Sequence, residues 1–194
     1  SIKASVIENI EEDKINLTFK IEETDKFYVS KINIFGNNIT EESVIRNQLK
    51  IDEGDPFNDI LMNKSINSLK RLNFFRSVRH EVQDKDDLDK IVNIFLEEKP
   101  TGEISAGAGF GTSGGTIFIN IKENNYLGKG IELDTSLKLS AESIKGVFRT
   151  TNKNYKDTNK AVSFAVEANE IDRLKDFGYK SNKTGFTLGT NFEY

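Results

Sequence analysis

One histidine, one run of aspartates and one run of glycines are the residues of this 194-residue chain whose types and spacing could do chemistry. His80 stands between Arg79 and Glu81 in strand-like sequence. The chain has no cysteine and no second histidine, so a zinc site or a nucleophile–base pair would lack its other members. It reads as an ordinary strand residue. Asp84, Asp86 and Asp87 have a spacing faintly like a calcium loop, but the remaining ligand positions and the terminal glutamate are out of register. They read as a solvated loop. Gly107, Gly109, Gly111, Gly114 and Gly115 suggest a phosphate loop by composition alone, because no helix follows them and no Gly-Lys-Ser/Thr appears. No enzyme activity, metal or cofactor is therefore expected.

The glycines carry another meaning once placed on an element. Glycine costs entropy and has no side chain to pack, so Gly107 and Gly109 weaken the strand expected over 103–110, or fit it to a tight bend. That strand follows a change of pattern at Pro100-Thr101-Gly102. Before it, apolar residues recur at both helical and strand spacing. Beyond it, strict alternation takes over. In 130–140, Ile131, Leu133, Thr135, Leu137 and Leu139 share one face, while Glu132, Asp134, Ser136, Lys138 and Ser140 share the other.

Charge divides at the same place. Residues 1–100 hold 15 Lys and Arg against 20 Asp and Glu, and residues 101–194 hold 12 against 11. An acidic half and a near-neutral half argue against nucleic acid as the partner. No stretch approaches the roughly 20 apolar residues of a membrane helix. Ser1 leads straight into strand-like sequence, so the chain reads as an internal segment.

Three regions are expected. Residues 1–25 carry two short strands, 2–10 and 14–22, the tail of a preceding module. Residues 26–100 read β-α-α-β-β: a strand from Phe27 to Phe35, a helix capped by Thr40 and running to about Leu49, a helix from about Asp59 to Leu72, then strands 74–83 and 90–98. The first helix should bury Val44, Ile45 and Leu49; the second should bury Met62, Ile66 and Leu69. Residues 101–194 hold six strand candidates, 103–110, 116–124, 130–140, 144–152, 160–169 and 183–193, with a longer polar loop over 170–181. Several match the roughly 9–11 residues of a tilted membrane-spanning strand. A soluble β-sandwich alternates too. Strand length and the aromatics near strand ends, Phe110, Tyr126, Phe192 and Tyr194, favour lipid.

The ordered set of segments resembles a known family. Phe27-Tyr28-Val29-Ser30-Lys31-Ile32-Asn33-Ile34-Phe35-Gly36-Asn37, then Arg71-Leu72-Asn73-Phe74-Phe75-Arg76-Ser77-Val78, then Glu97-Glu98-Lys99-Pro100 resembles a POTRA domain. Gly107-Ala108-Gly109-Phe110-Gly111-Thr112 and Asn125-Tyr126-Leu127-Gly128-Lys129-Gly130 resemble the opening barrel strands of BamA-type outer-membrane assembly factors. The resemblance implies an α+β POTRA domain followed by antiparallel strands of an incomplete transmembrane β-barrel.

It also implies a bacterial outer-membrane location with the POTRA part in the periplasm, and unfolded outer-membrane proteins, accessory periplasmic lipoproteins and the lipid bilayer as partners. Ile104, Ala106, Gly107, Ala108, Gly109 and Phe110 would be the barrel's first, gating strand. Phe75, Arg76, Val78 and Arg79 would lie on a sheet edge able to pair with an extended peptide, or protected from such pairing by its arginines. Arg46 and Glu53 match positions that contact an accessory lipoprotein, against the plain reading of solvated charges. Two-partner secretion pores also place POTRA domains before a barrel. Six strands fall short of the roughly eight of the smallest membrane barrels, so open edges and self-association are expected.

Overall fold

The computed structural model describes residues 2–11, 14–23, 25–86, 88–111, 114–158 and 160–192. Thr112, Ser113, Asp87 and Tyr194, singled out above, lie outside them.

Strands β1 (Ile2–Glu11) and β2 (Lys14–Glu23) pair as a two-stranded antiparallel sheet. Strands β3 (Tyr28–Phe35), β4 (Phe75–Asp84) and β5 (Asp89–Glu98) form a second sheet in the order β3-β5-β4, with β3 and β5 parallel. Between β3 and β4 come α1 (Glu42–Arg46) and α2 (Asp59–Leu72). A parallel β3–β5 pair needs a crossover, and the helices are part of it. The β-α-α-β-β order is the expected one.

The remaining strands are β6 (Gly102–Gly111), β7 (Gly114–Tyr126), β8 (Ile131–Ser140), β9 (Ser143–Asn152), β10 (Lys160–Arg173) and β11 (Tyr179–Phe192). They form a six-stranded sheet in plain sequence order, β6 and β11 at its two ends. The sheet is open.

By proximity the chain divides into two compact units that interleave along the sequence. The first is Ser1–Phe35, Leu49–Arg71 and Ser77–Leu96; the second is Gly36–Gln48, Leu72–Arg76 and Glu97–Tyr194. In the first, Val29, Ile32, Ile51, Met62, Ile66, Leu69, Val78, Val92, Ile94 and Leu96 are buried. Met62, Ile66 and Leu69 are the inner face expected of α2, a stripe at i, i+4, i+7. Asn73, at φ 61°, follows the last turn of α2, and asparagine is among the few residues that accept this left-handed conformation.

In the second unit the small apolar centre is Ile45, Phe74 and Phe75, with Thr40 and Asn125 buried as well. Its sheet is different in kind. Residues directly opposite one another across a ladder share a face. The registers align Ile104, Ala106 and Ala108 with Ile121, Ile119 and Ile117, and these with Thr135, Leu137 and Leu139. The row continues through Ile144 and Phe148 on β9 to Val166 on β10 and Phe186 on β11. One face is apolar from end to end yet accessible, with Ile104 at 75% and Phe186 at 77% exposure.

Two expectations need correction. Thr40 does not cap a helix running to Leu49. Its hydroxyl and amide are committed elsewhere, Glu41 occupies the capping position, and α1 ends at Arg46 with only Ile45 fully buried. The polar stretch 170–181 is mostly strand. Asp172 stands directly opposite Lys180, whose ammonium lies 2.6 Å from Glu170, and only the single turn α3 (Leu174–Phe177) separates β10 from β11. Opposed charges support each other across a ladder, so a polar run can remain paired.

Candidate functional site: open sheet edges and a pinned turn

β5 is central in the three-stranded sheet, so β3 and β4 are its edges. They differ in what covers them. On the outer side of β3, the Val29 amide donates to the Asp55 carbonyl at 2.9 Å, the Val29 carbonyl accepts from the Gly54 amide at 2.7 Å, and Phe57 N donates to the Phe27 carbonyl at 2.8 Å. The Ile32 amide donates to Glu53 Oε1 at 2.9 Å. Glu53 therefore holds a backbone amide on the outer side of β3. β4 has β5 as its sole sheet neighbour among the described residues. Phe75 and Val78 are anchored in the interior, while Arg76 and Arg79 are exposed. The Arg76 guanidinium lies 3.5 Å from Glu97, an exposed pair of the kind worth about 0–1 kcal/mol.

The second open edge is β6. Ile104, Ala106, Ala108 and Phe110 fall on the apolar face by register, Phe110 being 95% exposed. Gly107 and Gly109 fall on the opposite face, and the two are not equivalent. A Cβ on Gly107 would lie 2.5 Å from the ring of Phe118, its cross-strand partner; a Cβ on Gly109 would meet nothing within 4 Å. Gly107 is covered by an aromatic ring lying across from it, a known remedy for a glycine gap in a sheet. The sequence reading missed Phe118. Its signal is that it breaks the polar series Thr116, Asn120, Lys122 on its face of β7.

A third arrangement was not expected from sequence at all. The Glu98 carboxylate, at the end of β5, accepts the amides of Asn38 and Ile39 on Oε2, each at 2.9 Å, and of Thr40 on Oε1 at 2.7 Å. Burial works to raise this carboxyl, but hydrogen bonds from Thr40, Ile39 and Asn38 hold it below its ordinary value. The loop so held grips the β7–β8 turn. Asn125 Nδ2 donates to Thr40 Oγ1 at 2.9 Å and Glu41 N donates to the Gly128 carbonyl at 2.9 Å. Gly128 has φ 73°, and a Cβ there would sit 2.0 Å from the Ile39 carbonyl oxygen.

Arg46 lies in the same unit, its Nε donating to Glu42 Oε1 at 2.7 Å, one turn away on α1. Glu53 belongs to the first unit. His80 is half-buried in β4 and Asp84 pairs with Lys90 at 2.6 Å.

A β-α-α-β-β layer leading into an antiparallel meander with one lipid-compatible face defines a class, the POTRA-preceded outer-membrane β-barrel. The POTRA family model, described as a surface antigen variable number repeat, matches residues 27–99. The outer membrane protein assembly factor BamA of Nitratidesulfovibrio vulgaris is 27% identical over 196 residues, covering 96% of this chain and 24% of that protein. The crystal structure of BamA from Haemophilus ducreyi lacking POTRA domains 1–3 superposes with a TM-score of 0.77 at 21% identity, over 97% of this chain and 37% of that one. CdiB from Acinetobacter baumannii is a more distant likeness in fold, with a TM-score of 0.53 at 14% identity, over 96% of this chain and 37% of its own. The chain is thus similar to the BamA-type assembly factors, with a POTRA domain at residues 27–99, and spans about a quarter of the curated relative it matches over nearly its full length.

Proposed function

We propose that this chain is the receiving and templating part of an outer-membrane β-barrel assembly factor. Its work is non-covalent, and no cofactor enters it. In the periplasm, the open edge of β4 takes up an unfolded outer-membrane protein by adding a strand to the sheet. At the membrane, the free edge of β6 pairs with a client strand whose backbone groups must be satisfied before entering hydrocarbon, where each unpaired group costs several kcal/mol. The observation that carries the reading is the pairing of an end-to-end apolar sheet face with an uncovered first strand. Arg46 and Glu53 are candidates to contact an accessory periplasmic lipoprotein. Because Glu53 also holds the Ile32 amide, Glu53→Gln, which keeps the acceptor, separates partner loss from misfolding.

The test places photo-crosslinking side chains at Ala106 on β6 and at Leu137 on β8 of the full-length protein in vesicles. A client barrel caught during insertion should crosslink at Ala106 and not at Leu137. Equal capture at both positions, or none, would refute the templating role. A secretion pore of the two-partner type, which would also place a POTRA domain before a barrel, is the second reading; it would pass its substrate past the polar face and leave Ala106 unlabelled.

A further inference from the structure

The stretch Lys99-Pro100-Thr101 leading into β6 is short, polar and outside any strand. The structure surrounds it with a closed ring of bonds inside the second unit. Glu98, just before the stretch, holds the loop 38–40 by three backbone amides. That loop holds the β7–β8 turn through Thr40 to Asn125 and Glu41 to Gly128. The turn returns to the stretch itself. Asn124 Nδ2 donates to the Thr101 carbonyl at 3.0 Å, and Glu123 Oε1 accepts both the Thr101 hydroxyl and the Asn125 amide. The Lys99 amide donates to the Phe74 carbonyl at 3.0 Å, and Lys99 Nζ to Asn73 Oδ1 at 2.5 Å.

Two features show that the ring is built tightly. Thr40 and Asn125 are buried where they meet, and a buried polar group deprived of its partner costs more than the bond it made. Gly128 approaches the Ile39 carbonyl too closely for any side chain.

We propose that the entry to β6 is a locked joint, with Glu98, Thr40, Asn125 and Gly128 as positioning residues that fix where the templating strand begins. The proposal rests on β6 being that strand. The lock acts at the Gly102 end of β6, whereas Gly109 and Gly111, where a Cβ would meet nothing within 4 Å, lie toward the other end, so the strand is anchored at one end and yielding at the other. A client would then pair in one register.

The experiment uses the full-length protein in lipid vesicles with Thr40→Val, Thr40→Ser and Gly128→Ala. Three quantities are followed: amide hydrogen exchange at residues 102–106, capture of an extended client peptide, and the rate of client insertion. Losing the Thr40 hydroxyl should speed exchange at 102–106 by at least about fivefold to tenfold in Thr40→Val. Gly128→Ala should do at least as much. Insertion should slow in both, peptide capture should be unchanged, and Thr40→Ser, which keeps the hydroxyl, should behave as wild type. Unchanged exchange at 102–106 in both Thr40→Val and Gly128→Ala would overturn the joint. Faster exchange with unaltered insertion would overturn its positioning role. A wild-type protein that inserts nothing would count against the assembly reading, and the exchange measurement would still decide the joint.

Discussion

Gly107 and Gly109 sit two residues apart on one face of β6 and serve it differently. At 107 the missing side chain makes room for the Phe118 ring, whereas at 109 it leaves open space. Valine at 107 must displace an aromatic ring, a strain of about 1–3 kcal/mol for overpacking. Gly107→Val should therefore lower the denaturant midpoint of the folded protein, and Phe118→Ala in the same chain should recover part of the loss. Gly109→Val should leave the midpoint near that of wild type, which makes it the clean probe of a yielding first strand.

Glu98 supplies a second test at this scale. Its carboxyl lies below its ordinary value when folded, so its hydrogen bonds add stability above the ordinary carboxylate range. That contribution is lost as pH falls through the lowered value. Glu98→Gln should flatten the acid side of a plot of melting temperature against pH. A parallel acid limb in the variant would sink the assignment.

At the scale of elements, helix α2 behaves as its spacing says and α1 does not. Fourteen residues with a clear apolar stripe hold their own boundaries, and Leu69→Ala should cost about 2–5 kcal/mol, read by equilibrium unfolding. The five residues of α1 are too few to be stable alone, so contacts distant in sequence set its start and end. The two edges of the three-stranded sheet show the same division. That β3 and β4 are both edges follows from strand order, but among the described residues only β3 is covered, by the 53–57 segment and the Glu53 carboxylate. A client peptide N-methylated on the backbone amides that face β4 should lose binding to the periplasmic part, while one methylated on the opposite side should keep it, measured by fluorescence anisotropy. Equal binding by the two peptides would remove β4 as the site of strand addition.

For the whole molecule, an open six-stranded sheet with an apolar face cannot remain dispersed in water. Light scattering of this chain in plain buffer should show association that detergent reverses; a monomer in buffer alone would contradict the membrane reading. Most of the architecture was legible in the order of residues. The alternation from Ile131 to Ser140 settles which side of that strand is apolar, because side chains on a strand alternate with a period of two, and the stripe of Met62, Ile66 and Leu69 marks the inner face of α2 by the same kind of local rule. The stretch 170–181 misled because its charges read as a loop until Lys180 finds Glu170 and Asp172 across the ladder. Nothing local announces the joint. Glu98 is 58 residues from Thr40, and Thr40 is 85 residues from Asn125. Periodicity belongs to neighbours along the chain, whereas a hydrogen bond belongs to atoms within about 3 Å of each other in space. The strands and their faces are thus properties of the sequence, while the covered edge, the ring over Gly107 and the lock at the start of β6 exist only once the chain has folded.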